Sequence, residues 1–123
     1  SSYLTALDTT SDVDVLLSLF TQDAVFDMTG IGYPRFEGIL ALREFFTSMF
    51  AEIANSAHYA TNFKVNSLEQ DSASAQAHAI GIGLPVGGER LELYLQYLFE
   101  FERVNLEWKI KSIRGLPLMP PLK

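Results

Sequence analysis

The sequence contains no cysteine, only two histidines, and no apolar run that approaches the roughly 20 residues of a membrane-spanning helix. Without cysteine, a disulfide framework and a thiolate metal site are both excluded. A His-Glu-x-x-His spacing, a phosphate-binding glycine loop and a motif for a covalent nucleophile are also missing. We therefore expect no bound metal and no cofactor.

Basic residues are scarce, with nine lysines and arginines against fifteen aspartates and glutamates, and the formal charge is −6. An acidic surface repels phosphate backbones, so we expect no nucleic acid partner. No basic and then apolar signal segment opens the chain, and we predict a cytoplasmic protein with no membrane partner. Ser1 already stands within a helical pattern, so we expect the native chain to include a turn or two of helix before it.

Aromatic residues are plentiful, since nine Phe, five Tyr and one Trp occur in 123 residues, of which 48% are hydrophobic. A chain of this length fits one domain and can bury a core without disulfides or metals. We therefore expect residues 1–123 to form one domain with a large apolar interior.

Apolar spacing and capping residues predict three helices. The first already includes Ser1 and is ended by residues 9–11, the second runs from Ser11 or Asp12 to Phe20, and the third runs from Gly38 to about Ala54. The third is the clearest, because its apolar residues recur at intervals of three and four: Leu42, Phe45, Phe46, Met49, Phe50 and Ile53. The side expected to face a sheet comprises Leu42, Phe46, Met49 and Ile53.

Strands are predicted at residues 23–29, 58–68, 72–84, 90–103 and from Trp108 onward, with residues 116–121 as an extended tail. Residues 90–103 alternate most regularly between apolar and polar side chains. The last four strands follow one another through short turns, which predicts an antiparallel meander with one face buried against the helices. A long helix across such a curved sheet makes a cone, and its mouth is a natural ligand site. The predicted fold class is α+β.

This order of elements, with the residues within it, resembles the nuclear transport factor 2-like superfamily, and most closely its branch of SnoaL-like polyketide cyclases, scytalone dehydratase and ketosteroid isomerase. The segments that carry the resemblance span essentially the whole chain: Tyr3–Asp8, Asp12–Phe20, Asp23–Phe26, Phe36–Gly38, Leu42–Phe46, Ala57–Asn62 and Trp108–Ile110. The resemblance implies that residues 1–123 form one SnoaL-like domain. That domain is a cystatin-like roll, in which two short N-terminal helices precede a curved antiparallel sheet packed on a long helix. Because this superfamily hosts many chemistries, the fold alone does not name the reaction.

Asp8 and His58 match a catalytic pair of this superfamily. In its dehydratases and dehydrochlorinases, an aspartate near the end of the first helix pairs with a histidine that opens the strand after the long helix. The resemblance assigns these two roles to Asp8 and His58. A carboxylate hydrogen-bonded to one ring nitrogen fixes the tautomer of a histidine base and stabilises its cation, while the other nitrogen faces the substrate. The alternative is that Asp8 caps a helix end and His58 is a structural strand histidine.

Three further positions match functional positions of ketosteroid isomerase. Tyr3 matches its oxyanion tyrosine, and Tyr97 falls near its second oxyanion acid. Either phenol could donate a hydrogen bond to a developing enolate, or could instead pack in the core. Met28 falls where the isomerase has its general-base aspartate and scytalone dehydratase has a tyrosine. A thioether can replace neither group, so steroid isomerisation is disfavoured.

The predicted substrate-binding residues are Met28, Phe46, Met49, Phe50, Asn62, Tyr97 and Trp108. Asn62 shares strand parity with His58, so it could donate or accept a hydrogen bond within the pocket or could instead be a polar residue at the edge of the sheet. Arg114 shares parity with Trp108, so it could turn inward or remain a solvated residue at a strand end. His78 shares parity with polar neighbours, and we expect it on the surface or in an interface.

Two functions fit these observations. The resemblance implies a cofactor-free acid-base lyase or isomerase, dehydratase-like or cyclase-like, that acts on a small apolar metabolite such as a polyketide-like, terpenoid or aromatic compound. The alternative is a non-catalytic small-molecule-binding or assembly module of the same fold. That alternative is favoured by Met28 and by the absence of a second catalytic histidine at Gly81–Pro85.

We also predict a homodimer built on the outer face of the sheet. Strand alternation places three large apolar residues, Tyr59, Phe63 and Val65, on the face opposite to His58. If His58 lines the pocket, this apolar face must be covered by something other than solvent.

Overall fold

The computed structural model describes Tyr3, Ala6 and residues 12–119, except for the side chains of residues 54 and 55. Tyr3 and Ala6 have helical backbone, at the place of the first predicted helix. From there the elements are, in order, α1 (Val13–Leu17), β1 (Phe20–Asp27), a short 3₁₀ helix (Thr29–Ile31), β2 (Arg35–Glu37), α2 (Ile39–Glu52), β3 (Ile53–Leu68), β4 (Ser72–Pro85), β5 (Leu91–Val104) and β6 (Glu107–Pro117). Within the described residues, no helix is both long enough and apolar enough to cross a membrane.

The six strands found among the described residues join one sheet, in the order β2-β1-β6-β5-β4-β3. The four long strands β3 to β6 form the antiparallel meander that their short turns predict. β1 runs parallel to β6, and β2 pairs antiparallel with the other side of β1. The α+β class is thus confirmed, but the sheet is mixed rather than wholly antiparallel, because the two N-terminal strands extend it at the β6 edge.

The structure shortens two predicted helices. The second helix begins as expected after Asp12, whose carboxylate accepts a hydrogen bond from the Asp14 amide at 2.9 Å. It ends before Phe20, because Phe20 belongs to β1 and pairs with Ile110 on β6. Likewise, Ile53 belongs to β3 and not to α2. At both places the apolar spacing would allow a longer helix, but pairing with a neighbouring strand ends the helix earlier.

α2 packs across one face of the sheet, here called the inner face, and the core lies between them. Leu42 and Phe46 on α2 are completely buried, as their helical spacing predicts. The ring centroid of Phe46 lies 6.0 Å from that of Phe20 and 5.4 Å from that of Phe26, both on β1. Alternate positions of β5 add a buried row: Leu95, Tyr97 and Phe99. Many of the plentiful aromatic residues therefore meet where α2, β1 and β5 pack.

β4 has small residues on the inner face of the sheet. Ala75, Ala77 and Ala79 are buried there, and the next two positions on the same side of the strand are Gly81 and Gly83. The glycines leave this end of β4 without side chains. Between that end of the sheet and α2 a cavity remains.

A register shift in β6 changes which side of the sheet its last residues face. The shift lies at Lys111, which is the extra residue between the pairs that β6 forms with β5. As a result Ile113 is completely buried and Arg114 is exposed. Of the two alternatives for Arg114, the structure therefore shows the solvated residue at a strand end and not the inward-facing one.

The edge strand β3 has two register shifts in its second half. Tyr59 pairs with Ile80, whereas Val65 pairs with Ala75, whose side chain is buried on the inner face. Tyr59 and Val65 thus lie on opposite faces, and the predicted common face of Tyr59, Phe63 and Val65 is wrong. All three side chains are nevertheless more than half exposed.

Candidate functional site

A cavity of about 760 Å³ lies between α2, the loop after β1 and the inner face of β3, β4 and β5. Its volume falls within the range of roughly 300–1,000 Å³ that is usual for small-molecule sites. Most of its wall is apolar or aromatic: Tyr3, Phe26, Met28, Ile31, Tyr33, Pro34, Phe45, Met49, Phe50, Ile53, Ile82, Pro85, Leu91, Leu93, Leu95 and Tyr97. The remaining wall residues are Ser48, Glu52, Ser56, His58, Gly81 and Gly83. Such a wall suits an apolar ligand that carries a small number of polar groups.

His58 lies on the cavity side of β3, with Ser56 two positions before it on the same side. The register sets Ser56 opposite Gly83 and His58 opposite Gly81 on β4. A Cβ atom built on Gly81 would lie 3.3 Å from Cδ2 and 3.4 Å from Nε2 of His58, so this edge of the imidazole lies against the β4 backbone. The ring thus stands in a largely apolar wall, where an unprotonated nitrogen can act as a base.

Tyr3 and Tyr97 lie in the cavity wall and are almost wholly buried, with 3% and 4% of their surface exposed. Their ring centroids are 6.5 Å apart and their planes are nearly perpendicular, at 86°. Tyr3 makes a second edge-to-face contact with Phe20 at 5.9 Å. These contacts hold both phenols in fixed orientations, which a hydrogen-bond donor for a ligand oxygen atom requires.

Met28 begins the loop after β1 and is buried in the cavity wall. Its sulfur rests on Gly115 of β6, where a Cβ atom would collide with it. Gly30, in the 3₁₀ helix, comes equally close to β6, since a Cβ atom there would lie 2.6 Å from the Gly115 carbonyl oxygen. The Met28 side chain is therefore a fixed apolar part of the wall, and its thioether cannot serve as an acid or a base.

Asp27 ends β1 and anchors the loop that forms this part of the wall. Its Oδ1 accepts a hydrogen bond from the Thr29 hydroxyl at 2.6 Å and another from the Thr29 amide at 3.0 Å. These two bonds, with the nearby guanidinium groups of Arg114 and Arg35, hold the pKa of the Asp27 carboxyl below its usual 3.8. The loop is thus stabilised by the ionised form of Asp27.

Asp27→Ala should lower the free energy of unfolding at pH 7 by about 1 kcal/mol, since two hydrogen bonds to an ionised acceptor are lost. Because the pKa of Asp27 is lowered in the folded protein, the stabilisation is complete above the unfolded value near 3.8 and is lost as the pH falls through the folded value. Urea unfolding should therefore show a constant difference between wild type and variant from pH 7 to 5, and a smaller difference below about pH 4. Glu44→Ala, at an exposed position on α2, is the control. A difference that persists unchanged at low pH would contradict this role of the carboxylate.

Asn62 does not lie in the cavity wall, contrary to its predicted parity. It has a positive φ of 55° at a register shift of β3, a conformation that asparagine tolerates better than most residues. Its amide nitrogen lies 3.0 Å from Nδ1 of His78, which pairs with Thr61 on the outer face. The register shift therefore turns the Asn62 side chain away from the side of β3 on which His58 lies.

Phe46 and Trp108 also lie away from the cavity. Phe46 is completely buried on the side of α2 that packs against β1. Trp108 pairs with Arg103 at the far end of the β5–β6 hairpin, and the Arg103 guanidinium lies 4.8 Å from its ring centroid. The predicted substrate-binding residues that do line the cavity are Met28, Met49, Phe50 and Tyr97.

Asp8 lies outside the residues that the structure describes, so its pairing with His58 stays a prediction. Among the residues that are described, no group of three or more His, Cys, Asp or Glu side chains is placed to hold a metal ion. Four cavity-wall residues that carry a hydroxyl or carboxylate group are not predicted from the sequence: Tyr33, Ser48, Glu52 and Ser56. Ser56 could have been found from its parity with His58, whereas the other three depend on how separate elements meet.

A family model for the SnoaL-like domain matches residues 1–114, whereas no curated protein matches the sequence. Among solved structures, a protein from Novosphingobium aromaticivorans that is provisionally named an aromatic ring hydroxylase shares 42% sequence identity with a TM-score of 0.94. The match covers 98% of this chain and 85% of that one.

Two further solved structures share the fold at lower identity. A protein from Novosphingobium aromaticivorans provisionally named a scytalone dehydratase has 19% identity and a TM-score of 0.85, over 95% of this chain and 77% of that one. The type 3 hexachlorocyclohexane dehydrochlorinase LinA from Novosphingobium barchaimii has 20% identity and a TM-score of 0.80, over 98% of this chain and 83% of that one. These likenesses confirm the nuclear transport factor 2-like fold that the sequence predicts.

Proposed function

This chain belongs to the SnoaL-like domain family, and from that premise we propose that it is a cofactor-free acid-base enzyme, a lyase or isomerase, acting on a small apolar metabolite. The observation that carries the proposal is the position of His58, whose imidazole stands in the largely apolar wall of a cavity of about 760 Å³. A base in such a wall meets the substrate with little competing water. A cytoplasmic location remains a prediction from the sequence.

In the proposed reaction, a neutral nitrogen of His58 takes a proton from a carbon atom next to a carbonyl group or a leaving group. The electron pair of the broken C–H bond forms a double bond. Either the leaving group departs with its bonding electrons, or the charge collects on the carbonyl oxygen. Asp8 would orient the ring and stabilise its cation, as the resemblance implies. Tyr3 or Tyr97 would donate a hydrogen bond to the oxygen on which charge collects.

The proposed substrate class rests on the cavity wall and on the names of similar proteins. Phe26, Phe45 and Phe50 give the wall broad aromatic surfaces. Two of the similar proteins have names that denote the elimination of water and of hydrogen chloride, and the one at 42% identity is named for aromatic rings. Small aromatic or other cyclic compounds with an acidic C–H bond are therefore the first substrates to test.

A non-catalytic small-molecule-binding module of the same fold is the second candidate function. It is favoured by Met28, which fills the wall at the position where ketosteroid isomerase has its base. With an inert thioether there, proton abstraction would depend on His58. A test of His58 therefore separates the two functions.

The pairing of Asp8 with His58 can be tested before a substrate is known. We expect Asp8→Asn to move both ring-nitrogen chemical shifts of His58 in a ¹⁵N NMR spectrum, because an amide can hold the ring but supplies no negative charge. The chain has only two histidines, so a His58→Gln variant assigns the signals. Asp14→Asn, at an exposed position on α1, is the control and should leave the shifts unchanged. Unchanged shifts in Asp8→Asn would rule out the pair and leave the binding module as the better function.

We further propose that the protein is a homodimer that associates through the outer face of the sheet. On this face Ile80 lies between Tyr59 on β3 and Tyr94 on β5, and the adjacent row carries His78 and Gln96. None of the five residues is an aspartate, glutamate, lysine or arginine. Protein interfaces are likewise poor in charge at their centre.

Sedimentation velocity at micromolar concentration should therefore show a dimer. Ile80→Glu places a charge at the centre of the proposed interface and should give monomers. Leu40→Glu, on the exposed side of α2, should sediment like the wild type. A monomeric wild type would contradict the proposal, and so would an Ile80→Glu dimer as stable as that of the wild type.

A further inference from the structure

Two glycines of β4 lie opposite the polar cavity residues of β3, Gly81 opposite His58 and Gly83 opposite Ser56. Both have ordinary strand conformations, since neither has a positive φ. The backbone would therefore accept alanine at either position, as it does at Ala79, the preceding inner position of β4. A reason for glycine must come from the side chains that lie above these two positions.

The two glycines differ in what a side chain would meet. At Gly83 the nearest atoms to a Cβ would be Cγ2 and Cδ1 of Ile53, at 3.9 and 4.0 Å, which is ordinary van der Waals contact. At Gly81 they would be Cδ2 and Nε2 of His58, at 3.3 and 3.4 Å. That contact is tighter than most, so the imidazole would have to move by a few tenths of an ångström.

We propose that Gly81 is a positioning residue for His58. Gly81 has no side chain, so the Cδ2–Nε2 edge of the His58 imidazole can lie directly against the β4 backbone. This contact holds the ring at one distance from the sheet and in one orientation. Any effect of Gly81 on catalysis rests on the proposed function, because it assumes that His58 is a base. The effect of Gly81 on the position of the ring needs no such assumption. General-base catalysis needs the nitrogen within hydrogen-bond reach of the proton that it takes. If a methyl group displaces the ring, the rate of proton abstraction should therefore fall more than the affinity for the substrate.

The first test compares Gly81→Ala with Gly83→Ala, which adds the same methyl group on the same face of the same strand. We expect Gly81→Ala to move the ring ¹⁵N and ¹³C chemical shifts of His58, and Gly83→Ala to leave them in place. When the assay uses a substrate that the wild type converts, Gly81→Ala should lower kcat by roughly tenfold with a much smaller change in KM. His58 shifts that are the same in Gly81→Ala and the wild type would overturn the proposal. Equal shifts in the two alanine variants would also overturn it.

A second measurement covers the case in which Gly81→Ala is poorly folded. If the methyl group acts by pressing on the imidazole, Gly81→Ala should lower the Tm of the wild type but not that of a His58→Ala variant. An equal drop in both backgrounds would overturn the proposal. Chemical shifts and Tm also separate this inference from the proposed function. If Gly81→Ala moves the His58 shifts while His58→Ala retains full turnover, Gly81 still positions the ring, and it is the role of His58 as a base that fails.

Discussion

Replacing His58 by alanine should reduce kcat/KM by roughly 10²–10⁴-fold, which corresponds to about 3–5 kcal/mol of activation free energy. The variant loses the one histidine among the described residues of the cavity wall, and with it the proposed base. It should remain folded, because His58 is only partly buried and its removal enlarges a cavity that already exists. Turnover of small cyclic ketones or halides with an acidic C–H bond, together with thermal unfolding, measures both effects.

His78→Ala is the matched control for this experiment. His78 is the other histidine of the chain, and it lies on the outer face of the sheet with Asn62 at 3.0 Å. Its removal should leave kcat/KM within a few-fold of the wild type, since it contributes nothing to the cavity wall. Turnover that survives in His58→Ala at the wild-type rate would contradict the acid-base mechanism. The cavity would then be better explained as the ligand site of a binding module.

The sequence predicts the structure most closely where an element keeps its period without interruption. The spacing of three and four along α2 puts Leu42 and Phe46 in the core. The alternation along β5 puts Leu95 and Tyr97 on the inner face. In both elements each side chain's direction follows from its position, because the backbone geometry is uniform.

Predictions from parity failed where a strand contains a register shift. One extra residue reverses the alternation beyond it, so Val65 and Arg114 face the sides opposite to those that counting by two gives. Such a shift is set by pairing with the neighbouring strand, and no residue type marks it dependably. The positive φ of Asn62 is its one local trace in β3. The parallel pairing of β1 with β6 is likewise a long-range contact that local patterns do not encode.

The family resemblance fixes the positions of several candidate residues in the chain, and the structure shows where those among its described residues lie. The resemblance assigns positions to Tyr3, Met28, His58 and Tyr97, and all four residues lie in the cavity wall. The prediction that Phe46 binds substrate rests on helical spacing alone, which does not distinguish the core side of α2 from its cavity side. The polar residues of the wall that come from the loop after β1 and from α2 meet β3 only in the folded chain.

Phe46→Ala should lower the free energy of unfolding by about 3–5 kcal/mol, the largest effect on stability that we expect from a single substitution. Phe46 is completely buried, and its ring lies 5.1 Å from that of Phe45 as well as close to the rings of β1. Truncation leaves a void between α2 and β1 that closely packed neighbours cannot fill. Since domains of this size have about 5–15 kcal/mol of stability, a large share of it would be lost. Urea-induced unfolding of the purified variant measures the change.

Phe50→Ala, one helical turn later, provides the matched comparison. Phe50 lines the cavity and is only partly buried, so its truncation removes fewer contacts and widens a space that is already open. We expect it to cost about 1–2 kcal/mol, which is less than the loss in Phe46→Ala, and to weaken ligand binding instead. Equal losses would mean that α2 is packed as closely toward the cavity as toward the core, which would leave no room for a ligand there. Comparing these two phenylalanines therefore measures how one apolar helix divides its surface between stabilising the fold and binding a small molecule.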